Sequence, residues 1–223
     1  MNAKLFLSAI AKFSLGVLLV GALIFLPAGT LHYPQGWLLM GILFIPMFLA
    51  GLVMMAKNPK LLRSRLDAKE QEREQSLVVK LSGLMFLCGF ILAGLSFRFG
   101  WLMLPRWVSW LGAALFLMSY ALYAEVLREN TWLSRTIGVQ EGQTVVSDGL
   151  YGVVRHPMYA VTLVLFLSMP LVLGSAPAFL VFLAYPAIIV RRIRNEEEVL
   201  ARDLPGYAEY MQKVKWRMIP FIW

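Results

Sequence analysis

Two stretches in the last third of the chain collect residues able to do chemistry. The first reads Glu141-Gly-Gln-Thr-Val-Val-Ser-Asp-Gly-Leu-Tyr-Gly-Val-Val-Arg-His-Pro-Met-Tyr159. Gly149 and Gly152 mark turns. Pro157 suits the first position of a helix, where an N–H would have no partner anyway. The N–H groups that follow, at the positive helix end, suit an anion such as a carboxylate. Arg155 and His156 add donors, and Tyr151 and Tyr159 offer aromatic faces to a sulfonium or a flat ring. The second stretch, Arg191-Arg-Ile-Arg-Asn-Glu-Glu-Glu-Val-Leu200, sets Arg192 and Glu196 four apart, on one helix face. Taken alone, this is an ordinary solvated ion pair of about 0.3–0.5 kcal/mol, and His156 is an ordinary interfacial histidine. Beyond it, Tyr207, Tyr210 and Val214 recur at helical spacing beside Lys213, Lys215 and Arg217. That pattern predicts a helix or turn lying on a membrane surface.

The elements that must hold these residues are apolar. Of 223 residues 59% are hydrophobic and 15% charged, against roughly 45–50% and 25% in soluble domains. With a mean hydropathy of +0.68, the chain is too apolar to stay disordered in water. A single cysteine, Cys88, excludes an internal disulfide scaffold. The net charge of +8 points to membrane lipids, not nucleic acid, because charges are few and apolar residues many. No metal is expected. The composition is that of an integral membrane protein.

Four apolar runs, residues 5–26, 37–56, 77–97 and 107–126, meet the ~20 residues a spanning helix needs. Residues 158–173 and 177–190 form a shorter pair carrying Pro170, Pro177 and Pro186. Only Gly174, Ser175 and Ala176 separate them, so they predict a helical hairpin joined by a tight turn. The first run exceeds the ~7–15 residues of a signal-peptide core and reads as a transmembrane helix. The expected fold is therefore all-α and polytopic, with about six membrane helices. One integrated domain divides into residues 1–129, the first four helices, and residues 130–223, the loop, hairpin and tail.

Charge sets the expected orientation. Lys57, Lys60, Arg63, Arg65, Lys69 and Arg73 lie between runs two and three; Arg128, Arg135 and Arg155 lie between runs four and five. Seven more basic residues follow run six, whereas the opposite loops hold only Arg98 and Arg106. This bias predicts both termini and the polar segments on the cytoplasmic side, with Trp37, Trp101, Trp107 and Trp110 in an outer aromatic belt. Lys12 and Lys80 lie near enough to the cytoplasmic helix ends to snorkel. The spans otherwise lack the buried ionisable groups of a transport path.

Together the two stretches say more than either alone. Arg-His-Pro-x-Tyr before a membrane hairpin, Arg-Ile-x-x-Glu-Glu-x-x-Leu after it and Tyr-x-x-Tyr beyond resemble the isoprenylcysteine carboxyl methyltransferase family. Its wider group includes phospholipid N-methyltransferases. The close resemblance covers residues 130–220, with a weaker echo at Asn58-Pro-Lys-Leu-Leu-Arg-Ser-Arg65. It implies S-adenosylmethionine as cofactor and a lipophilic methyl acceptor. It maps cofactor contacts onto Gln143, Thr144, Val145, Val146, Tyr151, His156, Pro157, Met158, Tyr159 and Glu196. It maps the substrate-contacting, catalytic arginine onto Arg192. The family often has Gly two residues after the motif tyrosine, where this chain has Val161.

The residues leave the acceptor open. A prenylcysteine-type carboxylate, with an unperturbed pKa of about 3.3–3.7, is already a nucleophile at neutral pH and needs no base. An amine must first lose a proton, with His156 or Glu197 as candidate base. A non-catalytic membrane protein, or a reductase on a related scaffold, is the third alternative. The reductase would need a dinucleotide site, and the chain has no glycine-rich phosphate loop of the usual kind.

Overall fold

The computed structural model describes residues 3–66, 73–133 and 138–223. Lys69, Asp67 and Arg135 lie outside them, as do the side chains of Lys60, Arg65 and Arg73. The described chain is helical: α1 Ala3–Ala28, α2 Pro34–Lys57, α3 Pro59–Leu66, α4 Arg73–Phe99, α5 Arg106–Glu129, α6 Pro157–Val172, α7 Ala176–Phe182, α8 Tyr185–Asp203 and α9 Tyr207–Lys213. Five stretches are long and apolar enough to cross a membrane: Lys4–Ala28, Pro34–Lys57, Ser76–Phe99, Arg106–Glu129 and Ala176–Asp203. The sixth apolar helix, α6, has 16 residues, a length of about 24 Å against a hydrocarbon core of about 30 Å. The protein is an all-α polytopic membrane protein, as its composition requires. Intrahelical hydrogen bonding is what lets a backbone lie in hydrocarbon at all.

The hairpin turn is built as the sequence predicts, with one addition. Gly174 takes φ +67°, a conformation that glycine adopts without steric cost. Ser175 caps α7, its Oγ accepting the Ala178 N–H at 3.2 Å. The same hydroxyl donates to Ser96 Oγ at 3.0 Å on α4, and Tyr33 OH donates to the Leu173 carbonyl at 2.6 Å. The added feature is a break at Leu183 and Ala184, which divides the sixth run into α7 and α8. Pro186, whose missing N–H and bulky ring are tolerated in a first turn but weaken a helix interior, occupies the first turn of α8.

Close packing holds the hairpin to the bundle. A Cβ on Gly112 of α5 would lie 2.8 Å from the Val172 nitrogen of α6, so only glycine lets the two backbones approach this far. Phe86 and Phe90 of α4 pack on Phe182 of α7 with ring centroids 5.3 and 6.0 Å apart. Lys12 donates to the Leu66 carbonyl at 2.7 Å, tying α1 to the end of α3. Trp37, Trp101, Trp107 and Trp110 are exposed at the end of the bundle away from the start of α6.

Candidate active site

The start of α6, the polar half of α8, the end of α5 and α9 enclose an open cleft of about 800 Å³, the solvent at its mouth included. Gln143, Thr144, Val145, Val146, Tyr151, His156, Met158, Tyr159, Arg192 and Glu196 all line it. Pro157 does not; it supplies the first residue of α6.

One wall is a single face of α8. Arg192, Glu196 and Leu200 follow at intervals of four, and Leu204 at the helix end completes the stripe. Facing it, Tyr159 OH donates to Glu196 Oε2, while Arg192 Nε donates to Tyr159 OH at 2.8 Å. The Arg192 guanidinium also lies 5.9 Å from the Tyr159 ring centroid. Tyr159 therefore links the two residues that the sequence pairs, and it does so inside the cleft, where an exposed ion pair was the ordinary expectation.

The floor differs from the sequence expectation. Arg155 is not an exposed donor for a ligand. Its side chain is 5% exposed and its Nε donates to Glu197 Oε1 at 2.7 Å. Its Nη1 donates to the carbonyls of Val214 at 2.7 Å and Lys215 at 3.0 Å. Glu197 also accepts from Arg217 Nε at 2.7 Å and from His156 Nε2 at 3.2 Å. A buried carboxylate holding two guanidiniums and an imidazole is an ion cluster, and Glu197, read as a candidate base, is fully engaged in it. Backbone bonds reinforce the splice: Arg155 N donates to Trp216 O at 2.9 Å and His156 N to Arg217 O at 2.7 Å.

The helix start offers less to an anion than its sequence promised. Tyr159 N and Ala160 N both donate to the His156 carbonyl. Among the described residues this leaves the Met158 N–H as the first-turn donor not taken by the His156 carbonyl, on a residue that lines the cleft. In the preceding loop, Glu129 Oε2 accepts the Leu150 N–H at 2.9 Å, fixing the turn that carries Tyr151. Gln143 lines the cleft, but its Oε1 accepts the Gln140 N–H at 2.9 Å. Val161, in the place where relatives often have glycine, packs with Val126 and Tyr151.

The tail helix is present, but its aromatic face is not turned to a membrane surface. Tyr207, Tyr210 and Val214 are buried with Leu204 against Val139, Val145, Leu200 and Met211, and both tyrosines line the cleft. Tyr210 OH donates to the Tyr151 carbonyl at 2.7 Å. Burial pushes the Tyr151, Tyr207 and Tyr210 hydroxyls well above the ordinary phenol range; at Tyr207 the nearby Glu197 and Glu196 add to it. The helical stripe through Leu200 and Leu204 was there to be read in the sequence. The contributions of Asn130, Trp132 and Leu133 carry no such signal.

Residues 107–205 match the family model described as phospholipid methyltransferase. Over 91 residues the chain is 30% identical to the delta(14)-sterol reductase TM7SF2 of Mus musculus, a match covering 40% of this chain and 22% of that protein. Over 130 residues it is 28% identical to the cobalt-zinc-cadmium resistance protein CzcN of Cupriavidus metallidurans, covering 56% of each. The chain thus matches about half, or less, of the length of these relatives. The matched segment contains the hairpin and most of the cleft, and it points to a membrane methyltransferase or a related reductase. By this match, residues 107–205 are similar to the phospholipid methyltransferase family, the group related to the isoprenylcysteine carboxyl methyltransferases.

Proposed function

We propose that the protein is a membrane-embedded, S-adenosylmethionine-dependent methyltransferase that methylates the carboxylate of a lipophilic acceptor from the cytoplasmic side. The observation that carries this reading is the Arg192–Tyr159–Glu196 chain on the cleft wall. It sets one fixed cation beside one carboxylate in a cleft that opens at the start of a membrane hairpin. The residues suit the cofactor by their chemistry. Glu196 can accept from ribose hydroxyls, the Met158 N–H can donate to a carboxylate at the positive end of α6, and Tyr151 and Tyr159 supply aromatic surface for a sulfonium. Bound there, the cofactor would supply an electrophilic methyl group.

The chain's own part is positional. Arg192 can hold an acceptor carboxylate through its planar fork, and its bond to Tyr159 limits how far the guanidinium can swing. Leu200, Leu204 and Val145 exclude water from one end of the cleft. No proton has to leave a carboxylate acceptor at neutral pH. An amine acceptor would need a base, and Glu197 is held by Arg155, Arg217 and His156. That engagement favours the carboxylate over the lipid amine.

Transfer of labelled methyl from S-adenosylmethionine to a lipid extract by the purified protein tests this reading. The label is expected in lipid and is expected to be released by mild base, since methyl esters hydrolyse and methylamines do not. Base-stable label would move the assignment to N-methylation. Oxidation of a reduced nicotinamide dinucleotide by a sterol, with no methyl transfer, would move it to the reductase.

A further inference from the structure

The cleft has two chemically different ends. Arg192, Glu196, Tyr159 and His156 make one end charged; Val145, Leu200, Leu204, Tyr207 and Tyr210 make the other apolar and aromatic. Among the residues of that apolar end, Tyr207 carries a polar atom that the protein does not use; elsewhere in the lining the Tyr151 hydroxyl is another. Tyr207 is 4% exposed, and its buried hydroxyl has no hydrogen-bond partner among the described residues. Its neighbour Tyr210, with ring centroids 5.6 Å apart, is satisfied by the Tyr151 carbonyl. An unpartnered buried hydroxyl costs about 1–3 kcal/mol, and buried polar groups in native proteins are satisfied with few exceptions. Phenylalanine would fill the same space without that cost.

The hydroxyl is also held in its neutral form, since burial and the two nearby glutamates push its ionisation far up. It can therefore both donate and accept. Flat apolar walls with one neutral, two-way hydrogen-bonding group form a site for a heteroaromatic ring that has a polar edge.

We infer that Tyr207 is a base-recognition residue: its hydroxyl takes the hydrogen-bonding edge of the cofactor's purine, which makes α9 part of the nucleoside site. The inference rests on the S-adenosylmethionine reading above. It assigns a specificity role to a tail residue onto which the resemblance maps no cofactor contact.

Calorimetric titration of the purified full chain with S-adenosylhomocysteine and S-inosylhomocysteine, beside a thermal melt, tests it. The two ligands differ only at the base edge. Wild type is expected to prefer the adenosyl compound. Tyr207→Phe is expected to bind it about 3- to 10-fold more weakly, as for one lost neutral hydrogen bond, with the preference over the inosyl compound largely gone. Its melting temperature is expected to stay level or rise. Wild-type affinity and preference in Tyr207→Phe would overturn the inference and leave the methyltransferase reading standing. Equal weakening toward both ligands with a lowered melting temperature would overturn it too, making Tyr207 a packing residue. Wild type that binds neither compound would overturn the cofactor reading itself, and this inference with it.

Discussion

Glu197 and Arg155 meet at 2.7 Å with each side chain 5% exposed, 42 residues apart in sequence. Arg155 lines the floor of the cleft, and Glu197 lies behind it, outside the lining. Removing the carboxylate would strand a buried guanidinium, a change that costs about 3–5 kcal/mol. Glu197→Ala is therefore expected to lower the melting temperature by on the order of 10 °C. Arg217→Ala should cost far less, because Arg217 is 34% exposed. Differential scanning fluorimetry in one detergent compares them, and equal melting temperatures for wild type and Glu197→Ala would contradict the buried cluster.

Arg192→Ala is expected to lower kcat/KM by about 30- to 1000-fold, the loss of roughly 2–4 kcal/mol from a charge-assisted bidentate contact. Arg192→Lys should recover only part, since it keeps the charge without the fork. Affinity for S-adenosylhomocysteine should change much less in both, whereas Glu196→Gln should weaken it first. Near-wild-type turnover by Arg192→Ala would remove Arg192 from the acceptor site.

Gly112→Ala would place a methyl group 2.8 Å from the Val172 nitrogen and 2.9 Å from Leu171 Cβ. Parting two packed helices by this amount costs about 1–3 kcal/mol, so the melting temperature should fall. Gly51→Ala, with nothing within 4 Å of its Cβ, is the control and should be neutral or slightly stabilising. Matching melts for the two variants would argue against the tight α5–α6 contact.

The raised tyrosines set a pH dependence. Below about pH 10 the folded and unfolded chains both keep these phenols protonated, and stability is complete. As pH climbs past that value the unfolded chain releases protons that folded Tyr151, Tyr207 and Tyr210 retain, so stability is lost. Melting temperature should therefore fall steeply above about pH 10, and less steeply in Tyr207→Phe. An unchanged slope in that variant would place the titration elsewhere.

The cleft is expected to face the cytoplasm, by the basic-residue bias. In a Cys88→Ser background, Leu102→Cys should react with an impermeant maleimide on intact cells, and Asn58→Cys should react only after permeabilisation. The opposite labelling would invert the topology.

Much of the fold was legible because hydrophobic length is a local property. The first four apolar runs match α1, α2, α4 and α5 to within a few residues, and Pro186 marks the place where the sixth run breaks. The α8 stripe was legible too, since Arg192 and Glu196 need only helical spacing to share a face. What failed was partner identity. Arg155 reads as a ligand donor until Glu197 and the tail carbonyls are brought to it from 42 to 60 residues downstream. Tyr207 and Tyr210 form a genuine apolar face, but periodicity does not say whether lipid or protein covers it. Here Leu204, Val145 and Leu200 do.

The splice of residues 155 and 156 to residues 214–217 also fixes an order of assembly. When α6 enters the bilayer during synthesis, the Arg155 charge at its threshold has none of these partners, because Glu197, Val214 and Lys215 have not yet been made. The cleft is thus a late product of biogenesis, closed only after every membrane helix is in place. An insertion machinery that released α6 early would have to leave that charge in water or headgroups. Nascent chains arrested between residues 160 and 210 should accordingly be inserted in the membrane yet unable to hold a ligand.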